Sequence, residues 1–197
     1  MDLSNATNLS IIKYSAFYAN QISSLDLSNA TNLTTIEDTA FSINQICYLK
    51  IPSSLTYLSG FGGNQISSFD GNPSALIIPS NVKEIGSNAF SGNLIDGLVI
   101  RSGVTKIGFN AFNNNQMSML DLNNATDLIT ISSYAFNNNK LTNLKIPSSV
   151  TTIGDYSFAS NSTLSTILIK RTKEDFLANV TTGSSWYSGS PTITYKP

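Results

Sequence analysis

The sequence contains no histidine and only one cysteine. Without histidine the chain cannot form a Ser-His-Asp or Cys-His catalytic set, or a zinc site with a histidine ligand. The lone thiol, Cys47, excludes an intrachain disulfide and a multi-cysteine metal site. We expect Cys47 to be an inert thiol that is buried or half-exposed.

Charge is also scarce, because charged residues make up 12% of the chain, about half the usual share. The net charge is −1, and lysine and arginine never form a run, which argues against nucleic acid as a partner. No apolar run approaches the ~18 residues of a membrane span, so we predict no membrane insertion in this segment. Asparagine, serine and threonine carry most of the polar character instead.

A repeat organises almost the whole chain. Phenylalanines recur at intervals of 24, 20, 29, 22, 24 and 22 residues, and an asparagine follows each of them three residues later. The phenylalanines are Phe17, Phe41, Phe61, Phe90, Phe112, Phe136 and Phe158. The asparagines are Asn20, Asn44, Asn64, Asn93, Asn115, Asn139 and Asn161. We predict that the phenylalanines form the structural core. The asparagines should form a ladder, each adopting left-handed geometry and bonding to neighbouring backbone.

Each repeat also contains a short alternating stretch, such as SLDLS or NLKIP, which is typical of a β-strand. A unit of about 22 residues cannot bury a core alone, so we expect each strand to pair with the next copy. The changes in interval fall in one place per repeat, as solenoid loops allow. The pattern predicts a repeat solenoid, mainly β with short 3-10 or helical turns, of about seven to eight coils of 20–29 residues.

The stretches LIIPSNVKEIGSNAFSGN (residues 76–93) and LTNLKIPSSVTTIGDYSFASN (residues 141–161) resemble the BspA-like leucine-rich repeat family. That family's unit reads roughly L-x-x-L-x-I-P-x-x-V-T-x-I-G-x-x-A-F-x-x-C, and the pattern covers about residues 2–170. Here asparagine replaces the terminal cysteine in all seven copies. The resemblance implies an extracellular or cell-surface protein that adheres to a protein or a glycan. It brings no catalytic residues and no cofactor.

The chain divides into a predicted solenoid over residues 1–170 and a predicted C-terminal capping unit over residues 171–197. Thr172 and Asp175 have the spacing of an N-terminal cap for a short helix through about Asn179. Trp186 and Tyr187 could then cover the last coil. The first residues already lie inside the repeat and no N-terminal cap is visible, so we expect a truncated array. Fraying of residues 1–20, or end-to-end self-association through this end, should follow.

The outward strand positions provide the candidate binding residues. In order along the array they are Asp2, Asp26, Lys50, Ile77, Val99, Asp121, Lys145 and Leu168. Charge alternates at both ends, whereas Ile77 and Val99 form an apolar pair with Met119 nearby. Such a pair on a solvated sheet can mark a contact site. We therefore predict ligand binding on the concave face, by Asp26, Lys50, Ile77, Val99, Met119, Asp121 and Lys145. Alternatively, the insertion at residues 70–75 folds over the pair and buries it.

These observations favour a non-catalytic binding or adhesion module, and the alternative is a passive stalk or spacer in a larger surface protein. We predict no enzyme, because Asp26 and Asp121 occupy equivalent strand positions four coils apart, too far for joint acid-base work. We also predict no metal site. The group Asp121, Asn124 and Asp127 lacks the glycine and terminal glutamate of a calcium-binding EF-hand loop.

Overall fold

The computed structural model describes Leu3 and residues 6–67 and 75–197. Within these residues the chain winds through sixteen short strands and one helix. The strands are β1 (Ile11–Ile12), β2 (Ser24–Asp26), β3 (Thr35–Ile36), β4 (Tyr48–Lys50), β5 (Tyr57–Leu58), β6 (Leu76–Ile77), β7 (Glu84–Ile85), β8 (Gly97–Val99), β9 (Lys106–Ile107), β10 (Met119–Asp121), β11 (Thr130–Ile131), β12 (Asn143–Ile146), β13 (Thr152–Ile153), β14 (Thr166–Ile169), β15 (Thr181–Thr182) and β16 (Thr192–Tyr195).

The even-numbered strands correspond to the alternating stretches of the sequence. They pair in parallel and in register in three ladders within the described residues, β2-β4, β6-β8-β10 and β12-β14-β16. In the pairs up to β14 a buried aliphatic residue lies opposite another, as Leu25 lies opposite Leu49 and Leu76 opposite Leu98. The predicted pairing of each strand with the next copy is confirmed within these ladders, and with it the mainly β repeat solenoid.

The odd-numbered strands form a second sheet that the sequence pattern did not predict. All eight pair in parallel in the order β1-β3-β5-β7-β9-β11-β13-β15. Most of them have one outward residue and one buried aliphatic residue, such as Ile36 or Ile131. A strand of two residues is too short to show an alternating pattern. Six of the seven phenylalanines have an isoleucine five positions earlier, and each of these isoleucines lies in one of the short strands.

The repeated phenylalanines lie in the core between the two sheets. Neighbouring rings stack nearly parallel from Phe17 to Phe158, with centroids 5.0 to 5.6 Å apart. All are fully buried except Phe17, which is half-buried. The residue before each ring is small because the backbone of the adjacent coil lies close. At Gly60, with φ of +90°, an added Cβ would lie 2.6 Å from the carbonyl oxygen of Glu37.

The repeated asparagines connect each coil to the one before it. The Nδ2 group of Asn115 donates to the carbonyl oxygen of Phe112 at 3.2 Å and to that of Phe90, one coil earlier, at 2.9 Å. Its Oδ1 accepts the backbone N–H of Ile95, also in the earlier coil, at 3.1 Å. The same three bonds are made by five other asparagines, all buried: Asn44, Asn64, Asn93, Asn139 and Asn161.

Two predictions about the asparagine ladder are wrong. Asn20 is exposed, and its amide donates to the carbonyl oxygen of Tyr18 in its own turn at 3.2 Å. No described coil precedes it, so no earlier phenylalanine carbonyl is within its reach. The left-handed backbone lies one residue before each ladder asparagine, for example at Asn114 with φ of 55°. The ladder asparagines themselves do not have positive φ, because their side chains rather than their backbone shape the turn.

The C-terminal residues add one more strand to each of the two sets of strands. Helix α1 (Lys173–Asn179) begins after Thr172, whose hydroxyl accepts the backbone N–H of Asp175, so the predicted helix is confirmed. Strands β15 and β16 then pair with β13 and β14. The indole of Trp186 meets the ring of Phe158 edge-on at 6.2 Å, and the Phe158 N–H donates to the Trp186 carbonyl oxygen at 2.7 Å. The boundary between residues 170 and 171 stays a prediction.

Candidate functional site

The outward side of the even-numbered strands, here called the strand face, carries the predicted site residues. Asp26 and Lys50 are register partners at its N-terminal side, with 3.7 Å between the carboxylate Oδ2 and the ammonium Nζ. Hydrogen bonds from the hydroxyl and backbone N–H of Ser28 lower the pKa of Asp26 below its ordinary value, and Lys50 adds a smaller effect. The structure thus brings this predicted pair together as a salt bridge. Asp2 lies outside the described residues.

The centre of the strand face is apolar. Ile77 and Val99 are register partners in neighbouring strands, and both are half-buried. Met119 lies opposite Gly97, and 43% of its surface is exposed. These three residues, Ile77, Val99 and Met119, are called the strand-face patch. The insertion proposed to cover it falls on residues 70–75, of which residues 70–74 lie outside the described part of the chain.

The C-terminal side of the strand face is polar again. Asp121 is the register partner of Val99, and its Oδ1 accepts the backbone N–H of Asn123 at 2.8 Å. The ammonium group of Lys145 contacts the side-chain oxygen of Asn123, so Asn123 links Lys145 to Asp121. Leu168 follows opposite Lys145 and is half-buried. The predicted site residues therefore lie on three ladders. Ile77, Val99 and Met119 belong to the central one, and polar residues occupy the ladders on either side.

The described residues of this face offer no candidate metal centre. In residues 6–67 and 75–197, together with Leu3, no three His, Cys, Asp or Glu side chains are close enough to hold a metal ion. Asp127 accepts the backbone N–H of Gly103 through Oδ2 at 2.8 Å, so it supports a neighbouring turn.

The largest pKa shift lies on the other sheet, at Tyr57. Burial raises the pKa of this phenol to about 12, and its hydrogen bond of 2.9 Å to the Oδ1 of Asp38 adds to the effect. The phenol therefore stays protonated at physiological pH, and it acts as a hydrogen-bond donor rather than as a base.

The single thiol differs from its prediction. Cys47 is exposed, and its Sγ lies 3.4 Å from the carbonyl oxygen of Ser23 in the previous coil. It directly precedes β4, in which Tyr48 is exposed and Leu49 is buried. The prediction of a buried or half-exposed thiol is wrong, because the Cys47 side chain lies outside the core, as that of Tyr48 does.

A second surface feature was missed in the sequence. The rings of Phe109, Tyr134 and Tyr156 follow one another along three successive coils at the turn that precedes the core phenylalanines. We call these three residues the aromatic ridge. A signal was present, because the residue two positions before the core phenylalanine is small or polar in the other five repeats, whereas Tyr134 and Tyr156 are aromatic.

Among the described residues, no helix is long and apolar enough to span a membrane. The only helix observed there, α1, has seven residues.

The sequence model of the BspA-type leucine-rich repeat region matches this chain in six copies, over residues 2–70 and 65–185. Among solved structures, the chain is similar to the crystal structure of the pneumococcal vaccine antigen PcpA, with a TM-score of 0.54 and 18% sequence identity. The alignment covers 96% of this chain and 61% of the PcpA chain. At that identity the likeness shows the fold alone. No protein of curated function matches the sequence.

The repeat match spans nearly the whole chain, and the two parallel sheets wound around a phenylalanine spine agree with it. The chain belongs to the BspA-type leucine-rich repeat family.

Proposed function

We propose that this chain is a non-catalytic binding module of a cell-surface or secreted protein, and that it recognises another protein through the strand-face patch. One observation carries the proposal. Ile77, Val99 and Met119 are apolar and at least partly exposed on the central ladder, and polar residues occupy the ladders on either side. Protein interfaces have this arrangement, with an apolar centre inside a polar rim.

Two residues that depart from the repeat pattern also support binding through the strand face. The outward strand position is aspartate or lysine in four coils, at Asp26, Lys50, Asp121 and Lys145. The fold therefore accepts a charged side chain there. Ile77 and Val99 are apolar at positions where packing of the core does not demand it, which favours a role in contact with a partner.

The repeats also supply a substitution that keeps the fold. The double variant Ile77→Asp/Val99→Asp places aspartate at both positions. Aspartate already occurs at the equivalent position in two other coils, as Asp26 and Asp121. We expect this variant to remain folded by circular dichroism and to lose at least about tenfold in affinity, or ~1.4 kcal/mol, for a protein partner. Partners would be captured from host or community extracts on immobilised wild-type chain and then purified.

The control is Ile129→Asp, which removes an exposed isoleucine directly before β11 on the other sheet. Binding should survive this change. If a purified partner binds the double variant as tightly as the wild type, the strand face is not the binding surface.

The second candidate, a passive stalk or spacer, is favoured by the regular ladder of asparagines that locks each coil to its neighbour. A spacer needs no specific ligand. It is therefore the better account if the wild type and the double variant retain the same proteins from every extract.

A further inference from the structure

The aromatic ridge presents three rings to solvent in an otherwise polar region. The exposed fractions are 46% for Phe109 and 39% for Tyr156, and Tyr134 between them is half-buried. The centroids of Phe109 and Tyr134 are 5.8 Å apart with the rings edge to face, and those of Tyr134 and Tyr156 are 5.2 Å apart with the rings stacked. The row therefore extends across three coils as a single surface.

The backbone under the ridge is unfavourable for aromatic residues. Tyr134 and Tyr156 have φ of 59° and 55°, in the left-handed region that bulky side chains rarely adopt. Asn88 and Asn110 occupy the same place in the two preceding coils, with φ of 55° and 56°. Asparagine tolerates this conformation better than tyrosine. Ser15 and Thr39 have φ of 54° and 59° at the same place, so the left-handed turn belongs to the repeat and does not need a tyrosine to form.

Amide groups surround the rings. An open depression of about 480 Å³ is lined by Phe109, Asn110, Asn113, Asn114, Tyr134 and Asn137. None of these side chains carries a charge. The Oδ1 atom of Asn113 is buried and has no hydrogen-bond partner. Because this atom is buried, a ligand in the depression would contact the outer amide groups instead, such as those of Asn110 and Asn114.

We propose that the aromatic ridge and its asparagines bind a neutral glycan. Sugar rings have an apolar C–H face that packs on an aromatic ring, and hydroxyl groups at the edge that pair with amides. The uncharged lining matches a ligand without carboxylate, sulfate or ammonium groups. The volume of the depression lies within the range of small-ligand sites, which is about 300–1,000 Å³.

Each group has a defined part in this arrangement. The rings of Phe109 and Tyr134 hold one sugar, and the hydroxyl groups of that sugar pair with the outer amides of Asn110 and Asn114. Tyr156 continues the row in the next coil, so a linear oligosaccharide can extend along the solenoid. This surface differs from the strand-face patch, so either proposal can fail without the other.

The probes are four neutral linear hexasaccharides: cellohexaose, maltohexaose, chitohexaose and mannohexaose. Binding would be measured by saturation-transfer difference NMR at millimolar sugar and by titration calorimetry. We expect at least one of the four to bind the wild-type chain. The double variant Tyr134→Asn/Tyr156→Asn should weaken that binding by about tenfold or more, because only Phe109 is left to stack on the sugar.

The same variant tests whether the rings are needed for folding. It places asparagine where Asn88 and Asn110 stand in two other coils. Its unfolding temperature should therefore stay within about 4 °C of the wild type. The matched control is Tyr14→Ser, which removes a tyrosine that is 68% exposed at the position equivalent to Phe109 in the first coil. Serine occupies this position in two other coils, at Ser87 and Ser133. The control should bind the sugar like the wild type.

Three results would overturn the proposal. The first is that none of the four hexasaccharides binds the wild-type chain. The second is that the folded double variant binds the sugar as tightly as the wild type. The third is that an anionic hexasaccharide of galacturonate binds the ridge more tightly than the neutral sugars, because the lining would then not select for a neutral ligand.

Discussion

Asn20 and Asn115 occupy the same place in the repeat, but they have different surroundings. Asn115 is buried and bonds to two phenylalanine carbonyl oxygens and to the N–H of Ile95. Asn20 is exposed and reaches only the carbonyl oxygen of Tyr18 in its own turn. The residue type is the same, so the difference comes from the neighbouring coil. An asparagine of the ladder fixes the coil that precedes it, and among the described residues no coil precedes that of Asn20.

The phenylalanine spine shows the same contrast. Phe136 is fully buried and stacks on the rings of Phe112 and Phe158, at 5.5 and 5.2 Å. Phe17 is half-buried and stacks on Phe41 alone. In a solenoid, stability is close to a sum of terms from each coil and each interface between neighbours. Within the described residues the coil of Phe17 shows one such interface, whereas that of Phe136 shows two.

The largest predicted effect contrasts Phe136 with Phe17. Phe136→Ala should lower the free energy of unfolding by about 3–5 kcal/mol, because it leaves a large cavity between two stacked rings. Phe17→Ala should cost clearly less, since its ring is half-buried and has one stacking partner. Urea unfolding followed by circular dichroism measures both. Equal losses would mean that the first coil is packed as firmly as the interior.

The ladder offers the next contrast. Asn115→Ala should lower the free energy of unfolding by about 2–3 kcal/mol, because it leaves buried backbone groups of three residues without this partner. Asn20→Ala is expected to change it by less than about 0.5 kcal/mol, as for an ordinary surface substitution. The same urea experiment applies. A large loss for Asn20→Ala would show that the first coil is held by interactions of its own.

The smallest predicted effect concerns pH at the junction of the first two coils. The carboxylate of Glu37 accepts the backbone N–H of Tyr14 at 2.8 Å and pairs with the Nζ of Lys13 at 3.1 Å. The hydrogen bond from Tyr14, more than Lys13, lowers the pKa of Glu37 from its ordinary value of 4.5. This stabilisation is fully present above that ordinary value, and it is lost as the pH falls through the lowered pKa.

NMR titration of the Glu37 carboxyl carbon should give a midpoint below 4.5. Over the same pH range, exchange of the Tyr14 amide should accelerate relative to its intrinsic rate. The Glu37→Gln variant removes the titrating group, so this relative acceleration should disappear. A midpoint at or above the ordinary value would contradict the proposed contact between the two coils.

The sequence predicts the features that recur in every copy. The spacing of phenylalanine and asparagine indicated the coils. The alternation of apolar and polar residues, as in Leu25–Asp26–Leu27, indicated the even-numbered strands. The terminal helix followed from the spacing of Thr172 and Asp175. These features are local, so a pattern of a few residues is enough to specify them.

The features that the sequence did not predict depend on contacts between coils. The two-residue strands are too short to have a period. The left-handed position beside each ladder asparagine, as at Ile43 and Asn114, accepts several residue types and therefore leaves no signature. The aromatic ridge requires knowing that Phe109 and Tyr134 lie beside each other, although they are 25 residues apart in the chain.

Hydrogen exchange in the Asn115→Ala variant tests most directly whether each asparagine fixes the preceding coil. The amide of Ile95 is bonded to Asn115, whereas the amide of Met117, two residues after Asn115, is bonded to Asn139 of the next coil. We predict that the variant greatly accelerates exchange at Ile95 and leaves Met117 much slower, as measured by NMR under native conditions. Acceleration at Met117 as large as that at Ile95, or protection of both amides as in the wild type, would contradict this account.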